Sequence, residues 1–271
     1  MSPARATPAA VGVDLRPLDG RRVILTRPDA RAGDFDARVS ALGGDPLVAP
    51  AIDIVPPESW TIADAALRRI GTYDWIAFTS ANAVRALVGR ADAIGVDRDA
   101  LRHARLAVVG PATAAAVADA LRPPDVVPSV HTAEGLGQEM AGVGNGRILL
   151  PRGDLAGDTL PDALRARGAF VDEMVVYRTV PGIGVATIVA RTREGSVDAL
   201  LFASASAVRF VADALVAART SDRASWPVAV CLGPVTADAA REAGFVRVAV
   251  ASGTTQNDLI DRAAAWFAQS E

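Results

Sequence analysis

Lysine is missing from this chain: all 28 basic side chains are arginine. Its absence excludes a lysine Schiff base, a pyridoxal-phosphate attachment and a Walker A phosphate loop. Cysteine is nearly as scarce, and Cys231 alone forms no intramolecular disulfide. That fits a reducing compartment, and the cytoplasm is the expected location. The two histidines, His103 and His131, lie far apart, with no cysteine or histidine at ligand spacing. No metal centre is expected from them. No apolar run approaches the roughly 18 residues of a membrane span. The first residues are rich in Ala, Pro and Arg, lack the apolar stretch of a signal peptide, and read as a disordered tail over 1–19. A net charge of −3 with no basic run gives no sign of a nucleic-acid partner.

What is present is a duplication. The chain has 271 residues, 51% of them apolar, enough for two domain cores. Gly20-Arg-Arg-Val-Ile-Leu-Thr-Arg27 resembles Gly146-Arg-Ile-Leu-Leu-Pro-Arg152, with Arg27 and Arg152 separated by 125 positions. Gly43 and Gly168, and Pro56 and Pro181, repeat at the same offset. Phe78-Thr-Ser-Ala-Asn-Ala-Val84 matches Phe202-Ala-Ser-Ala-Ser-Ala-Val208, and Gly110-Pro-Ala-Thr113 matches Gly233-Pro-Val-Thr236, at offsets of 124 and 123. Landmarks in one order at a nearly constant offset mark one unit copied.

Each copy alternates strands and helices. Short apolar runs predict strands at Val23–Thr26, Leu47–Val55, Trp75–Phe78, Leu106–Val109, Val126–Val127, Ile148–Leu150, Val171–Tyr177, Ala199–Phe202, Val228–Leu232 and Val246–Val250. Between them, helical patterns cover 31–42, 62–70, 82–88, 111–121, 133–140, 158–166, 205–216, 235–243 and 256–267. The expected fold class is α/β, with parallel sheets covered on both faces.

In such sheets ligands bind beyond the carboxyl ends of the strands. The polar residues there are Thr26 and Arg27; Ser80, Ala81 and Asn82; Gly110 and Thr113; Arg152 and Gly153; Ser204 and Ser206; Gly233 and Thr236. Most begin a helix, where free backbone N–H groups and the positive dipole end favour carboxylates or phosphates. Serine and threonine at these positions also serve simply as caps. Repetition of both turn types in both copies favours a ligand with several negative groups. No G-x-G-x-x-G or G-x-S-x-G turn is present, so a dinucleotide or a serine nucleophile is not expected.

These blocks resemble the uroporphyrinogen-III synthase family from about Gly20 to Phe267. They are Leu25-Thr-Arg-Pro28, Phe78 to Val84, Val109 to Thr113, Pro151-Arg-Gly-Asp154, Val175-Val-Tyr-Arg-Thr179 and Leu232 to Thr236. One departure is Ala203, where threonine is common in the family. The resemblance implies two similar flavodoxin-like parallel-sheet domains joined by a two-stranded β-ladder. One domain would be discontinuous, 20–47 plus 182–271; the other would be 56–173; the linking strands would be 48–55 and 174–181. It implies cyclisation of hydroxymethylbilane with inversion of ring D and loss of water, with no cofactor, by a monomer. Tyr177 matches the family's functional tyrosine and would be the proton donor. Thr113 and Thr236 match its functional threonines, and Arg27 and Arg152 would meet substrate carboxylates. The alternative is a non-catalytic tetrapyrrole-binding sensor or regulatory protein of the same fold.

Overall fold

The computed structural model describes residues 16–27, 32–220, 222–253 and 255–269. They form two compact units: residues up to Asp53 with those from Pro181 onward, and Ile54–Val180. Strands and helices are numbered along the chain.

The first unit is a five-stranded sheet of β1 (Arg22–Leu25), β2 (Asp45–Val48), β8 (Ala199–Phe202), β9 (Val228–Cys231) and β10 (Val248–Val250). Its order is β10-β9-β8-β1-β2, with every neighbouring pair parallel. β8 and β9 are buried at every residue, because helices cover both faces. Alternate side chains divide between two cores. Val23 and Leu25 pack with α1 (Ala32–Ala41) and α11 (Gln256–Ala268). Ile24, Leu200 and Phe202 pack with α8 (Gly184–Arg193), α9 (Ala205–Ala217) and α10 (Pro234–Glu242).

The second unit has β3 (Ile52–Val55), β4 (Trp75–Phe78), β5 (Arg105–Val108), β6 (Arg147–Gly153) and β7 (Phe170–Pro181), in the order β3-β7-β6-β4-β5. The pairs β7–β6, β6–β4 and β4–β5 are parallel, and Val126 bridges to β5 at Ala107. Ile76, Phe78, Leu106 and Val176 meet the core formed with α2 (Thr61–Arg68), α3 (Ala81–Ala93) and α5 (Pro111–Ala120). Trp75, Ala77, Ile148 and Leu150 meet the other, formed with α6 (Ala133–Glu139) and α7 (Thr159–Arg165).

Matched at the repeat offset, the two sheets have one strand order. β2-β1-β8-β9-β10 corresponds to β7-β6-β4-β5-Val126, the flavodoxin-like order 2-1-3-4-5. The connectivity differs. The first βαβ segment of each repeat is built into the unit formed by the remainder of the other repeat.

Several expectations need correction. The single strand expected over Leu47–Val55 is two strands, broken at Ala49-Pro50-Ala51. Gly182 and Gly184 donate backbone hydrogen bonds to Ala51 and Pro50 there. A Cβ on Gly184 would lie 2.3 Å from the Ala49 carbonyl carbon, so glycine is what lets this backbone close in. The tail expected over 1–19 lies mostly outside the described residues, but 16–19 are not tail. Leu18 is fully buried and its N–H bonds the Leu42 carbonyl. α8 and the short α4 (Arg98–His103) were not expected at all. The strand expected at Val126–Val127 reduces to the bridge at Val126, and β7 runs well past Tyr177 to Pro181. The start of α1 expected at Arg31 lies outside the described residues. Among the described residues no helix is long and apolar enough to cross a membrane, and no cluster of three or more His, Cys, Asp or Glu could hold a metal.

Candidate active site

Every proposed binding residue lies at the carboxyl end of a strand or in the helix turn after it, so each sheet has one polar edge. In the first unit, Ser204 caps α9: its backbone is extended (φ −152°, ψ 149°) and its hydroxyl accepts from Ala207 N–H at 3.3 Å. In the second, Ser80 caps α3 with nearly the same backbone (φ −150°, ψ 148°), accepting from Ala83 N–H at 3.1 Å. Ala81 and Asn82 continue the first turn of α3, and Ser206 that of α9. Asn82 is engaged by its own helix, its Oδ1 accepting from Arg85 at 3.0 Å.

The Gly-Pro-x-Thr turns begin α5 and α10. Proline occupies the first helical turn, where a missing N–H costs nothing. Gly233 has φ +81°, which favours glycine, whereas Gly110 is extended at φ −173°. Thr113 and Thr236 are each only 4% exposed. Among the described residues neither hydroxyl has a hydrogen-bond partner. A threonine hydroxyl beside free helix N–H groups is a ready anion contact.

Tyr177 adds a phenol to the second edge. Its hydroxyl lies 3.1 Å from Ser80 Oγ. Its ring lies over Gly153, where a Cβ would be 2.6 Å from Cζ and 2.8 Å from the phenolic oxygen. The β6–β7 register shifts between Arg152 and Gly153, so that Gly153 rather than Asp154 faces Tyr177. Such a bulge re-aims side chains at the end of a strand. Asp154 holds the strand on both sides of the tyrosine: its N–H donates to the Tyr177 carbonyl at 3.2 Å, and its Oδ1 accepts from Thr179 N–H at 2.9 Å.

The structure separates other expected binders from the open edge. Thr26 is fully buried and donates to the Leu201 carbonyl at 2.7 Å. Arg152 is 8% exposed. Its guanidinium binds Glu173, Asp158 and the carbonyls of Ala156 and Gly157, pinning the loop after Gly153. Arg27, its counterpart in the first repeat, is exposed.

A match to the family model for the uroporphyrinogen-III synthase HemD spans residues 33–261. The chain belongs to the uroporphyrinogen-III synthase family. It is 26% identical over 253 residues to the porphyrin biosynthesis protein HemD of Ruminiclostridium josui, a match covering 91% of this chain and 49% of that protein. It is 32% identical over 166 residues to the uroporphyrinogen-III synthase of Synechococcus elongatus, covering 60% of this chain and 62% of the relative. Thus the chain spans about half the length of the first relative and under two thirds of the second. A crystal structure of a mutant uroporphyrinogen III synthase from Thermus thermophilus superposes with a TM-score of 0.66 at 25% identity, covering 93% of this chain and all of the other. Within this family member, the Tyr177–Ser80–Gly153 contact is what sequence reasoning missed. All three residues were candidates, but only the register shift shows that they touch.

Proposed function

We propose that this chain is a uroporphyrinogen-III synthase, cyclising hydroxymethylbilane with inversion of ring D and loss of water. The observation that carries the reading is the Tyr177 hydroxyl at the strand edge, seated on Gly153 and bonded to Ser80. A phenolic O–H can donate to a leaving hydroxyl. The substrate hydroxyl then departs as water, and the pyrrole chain itself stabilises the cation left behind. The substituted end of ring D attacks, and a spiro intermediate rearranges to the inverted macrocycle. The proton released in restoring the pyrrole returns to the Tyr177 oxygen. The remaining work is orientation.

In this reading the helix N-termini after β4, β5, β8 and β9, with Thr113 and Thr236, hold substrate carboxylates. Arg152 contributes through the loop it pins, and Arg27 by direct pairing. We read β3 and β7 as the two-stranded ladder joining the domains. They are neighbours in one sheet, and the unit boundaries at Asp53/Ile54 and Val180/Pro181 fall within them. The protein would act as a cytoplasmic monomer, consistent with a buried, unpaired Cys231.

The test is an isomer assay. Hydroxymethylbilane is generated enzymatically, incubated with the protein, oxidised and separated by chromatography. Type III uroporphyrin is the expected product. Type I alone, the product of uncatalysed closure, overturns the reading.

A further inference from the structure

A groove of about 440 Å³ runs beside Tyr177 in the second unit. One wall is a face of α3, where Asn82, Arg85, Ala86, Gly89, Arg90 and Ala93 recur at three- and four-residue spacing. Trp60 and the β3 end at Val55 line the rest. The surface is mostly apolar, and two charged groups line it, both arginines.

Those arginines are not equivalent. Arg90 is neutralised by a two-pronged pair to Asp64, both contacts 2.7 Å, and its guanidinium lies 5.0 Å from the Trp60 ring centre. It therefore fixes the tryptophan in place. Arg85 is exposed, and its only hydrogen bond among the described residues goes to the neutral amide of Asn82. No carboxylate among the described residues is within ion-pair distance of it. The groove thus combines a braced aromatic ring, a small-residue helix face and one uncompensated guanidinium, and it shares Tyr177 and Asn82 with the candidate active site.

We propose that this groove is a subsite for one carboxylate-bearing pyrrole of the linear tetrapyrrole. Arg85 pairs with the carboxylate, and Trp60 with the α3 face receives the flat ring. The proposal rests on the function proposed above. A planar guanidinium suits a carboxylate better than an ammonium does, because two parallel N–H donors meet two oxygens.

The test compares wild type, Arg85→Gln and Arg85→Lys in two measurements. In type III formation, Arg85→Gln is expected to raise KM about tenfold while leaving kcat within about twofold, the signature of lost uniform binding. Arg85→Lys should recover part of the loss, since it keeps the charge without the fork. In a fluorescence titration with uroporphyrin III, a polycarboxylate probe, Arg85→Gln should bind correspondingly more weakly. Unchanged KM together with unchanged uroporphyrin affinity overturns the subsite. If the wild type makes only type I product while Arg85→Gln still weakens uroporphyrin binding, the synthase reading falls and the subsite stands.

Discussion

The two strand edges are copies that have come to differ. Both present a serine-capped helix and a Gly-Pro-x-Thr turn, and the two serine caps agree in backbone angles to within two degrees. At the 125-residue offset, however, the counterpart of Tyr177 is Ile52, and that of the buried Arg152 is the exposed Arg27. Duplication supplied backbone donors twice. The phenol, the glycine beneath it and the pinned loop are found on one edge. In the function proposed above, anion binding is shared between copies, whereas a proton donor is needed only where the bond breaks.

The largest test of that asymmetry is Tyr177→Phe, which should slow type III formation roughly 100-fold or more while KM changes little. Ile52→Val, at the matching position of the other copy, should leave the rate within about twofold. If both substitutions act alike, the asymmetry is not catalytic. Gly153→Ala comes next. Its added methyl collides with the Tyr177 ring, so the expected loss in kcat is about tenfold, with folding retained by circular dichroism. Removing one anion contact from either edge should have similar effects. Thr113→Val and Thr236→Val are each expected to raise KM about threefold to tenfold, equivalent to roughly 1 kcal/mol of hydrogen bonding. Unequal effects would show which edge carries more of the substrate.

The smallest effects concern pH, and they also divide by unit. Four carboxylates of the second unit, Asp64, Asp92, Asp125 and Asp172, are held below their ordinary range. Arg90 does this to Asp64 and Arg98 to Asp92, chiefly by hydrogen bonds. Burial pushes Asp125 and Asp172 up, but hydrogen bonds outweigh it: from Arg122 and the Leu106 N–H to Asp125, and from Tyr73 and Arg147 to Asp172. A depressed carboxyl stabilises the fold above its unfolded pKa, near 4, and that contribution is lost as pH falls through the folded value. Hydrogen exchange on lowering pH below about 4 should therefore find the second unit losing protection first. The first unit carries the opposite case. Burial pushes the Cys231 thiol up to about 12. Its contribution is intact below the unfolded value, near 9, and declines as pH rises toward 12, by at most about 1.4 kcal/mol per pH unit. Cys231→Ala should flatten that alkaline decline in a thermal-denaturation series.

Much of this was legible in the sequence, and the failures have physical causes. The strands Trp75–Phe78 and Ala199–Phe202 were read to the residue, because a short apolar run between turn residues has few other fates in an α/β chain. α8 escaped notice because Gly184, Val185, Ile188 and Val189 are poor helix formers; burial of Val185 and Ile188 in the core overrides that preference. The break at Pro50 was missed in a stretch from Leu47 to Val55 that is apolar except for Asp53, where side chains alone do not tell a strand that continues from one that changes sheets. The candidate site was legible as a set of strand ends but not as contacts. A local pattern does not reveal that Glu173, 21 positions away, occupies the Arg152 guanidinium, or that a one-residue shift in β7 against β6 seats Tyr177 on glycine.

The exchange of βαβ segments between repeats also bears on biosynthesis. The second unit is a single stretch, 54–180, and is complete before the first unit can be. β1 must wait for β8, about 175 residues later, on the order of 10–35 s at ribosomal elongation rates. During that interval the nascent second sheet has a place awaiting β6, α7 and β7. The segment already emerged, β1-α1-β2, is their duplicate in pattern and strand order. Each chain thus carries, in front of every unfinished sheet, a near-copy of the piece still to come. Correct assembly depends on the features that make the copies unlike, the Pro50 break and the bulge at Gly153 among them.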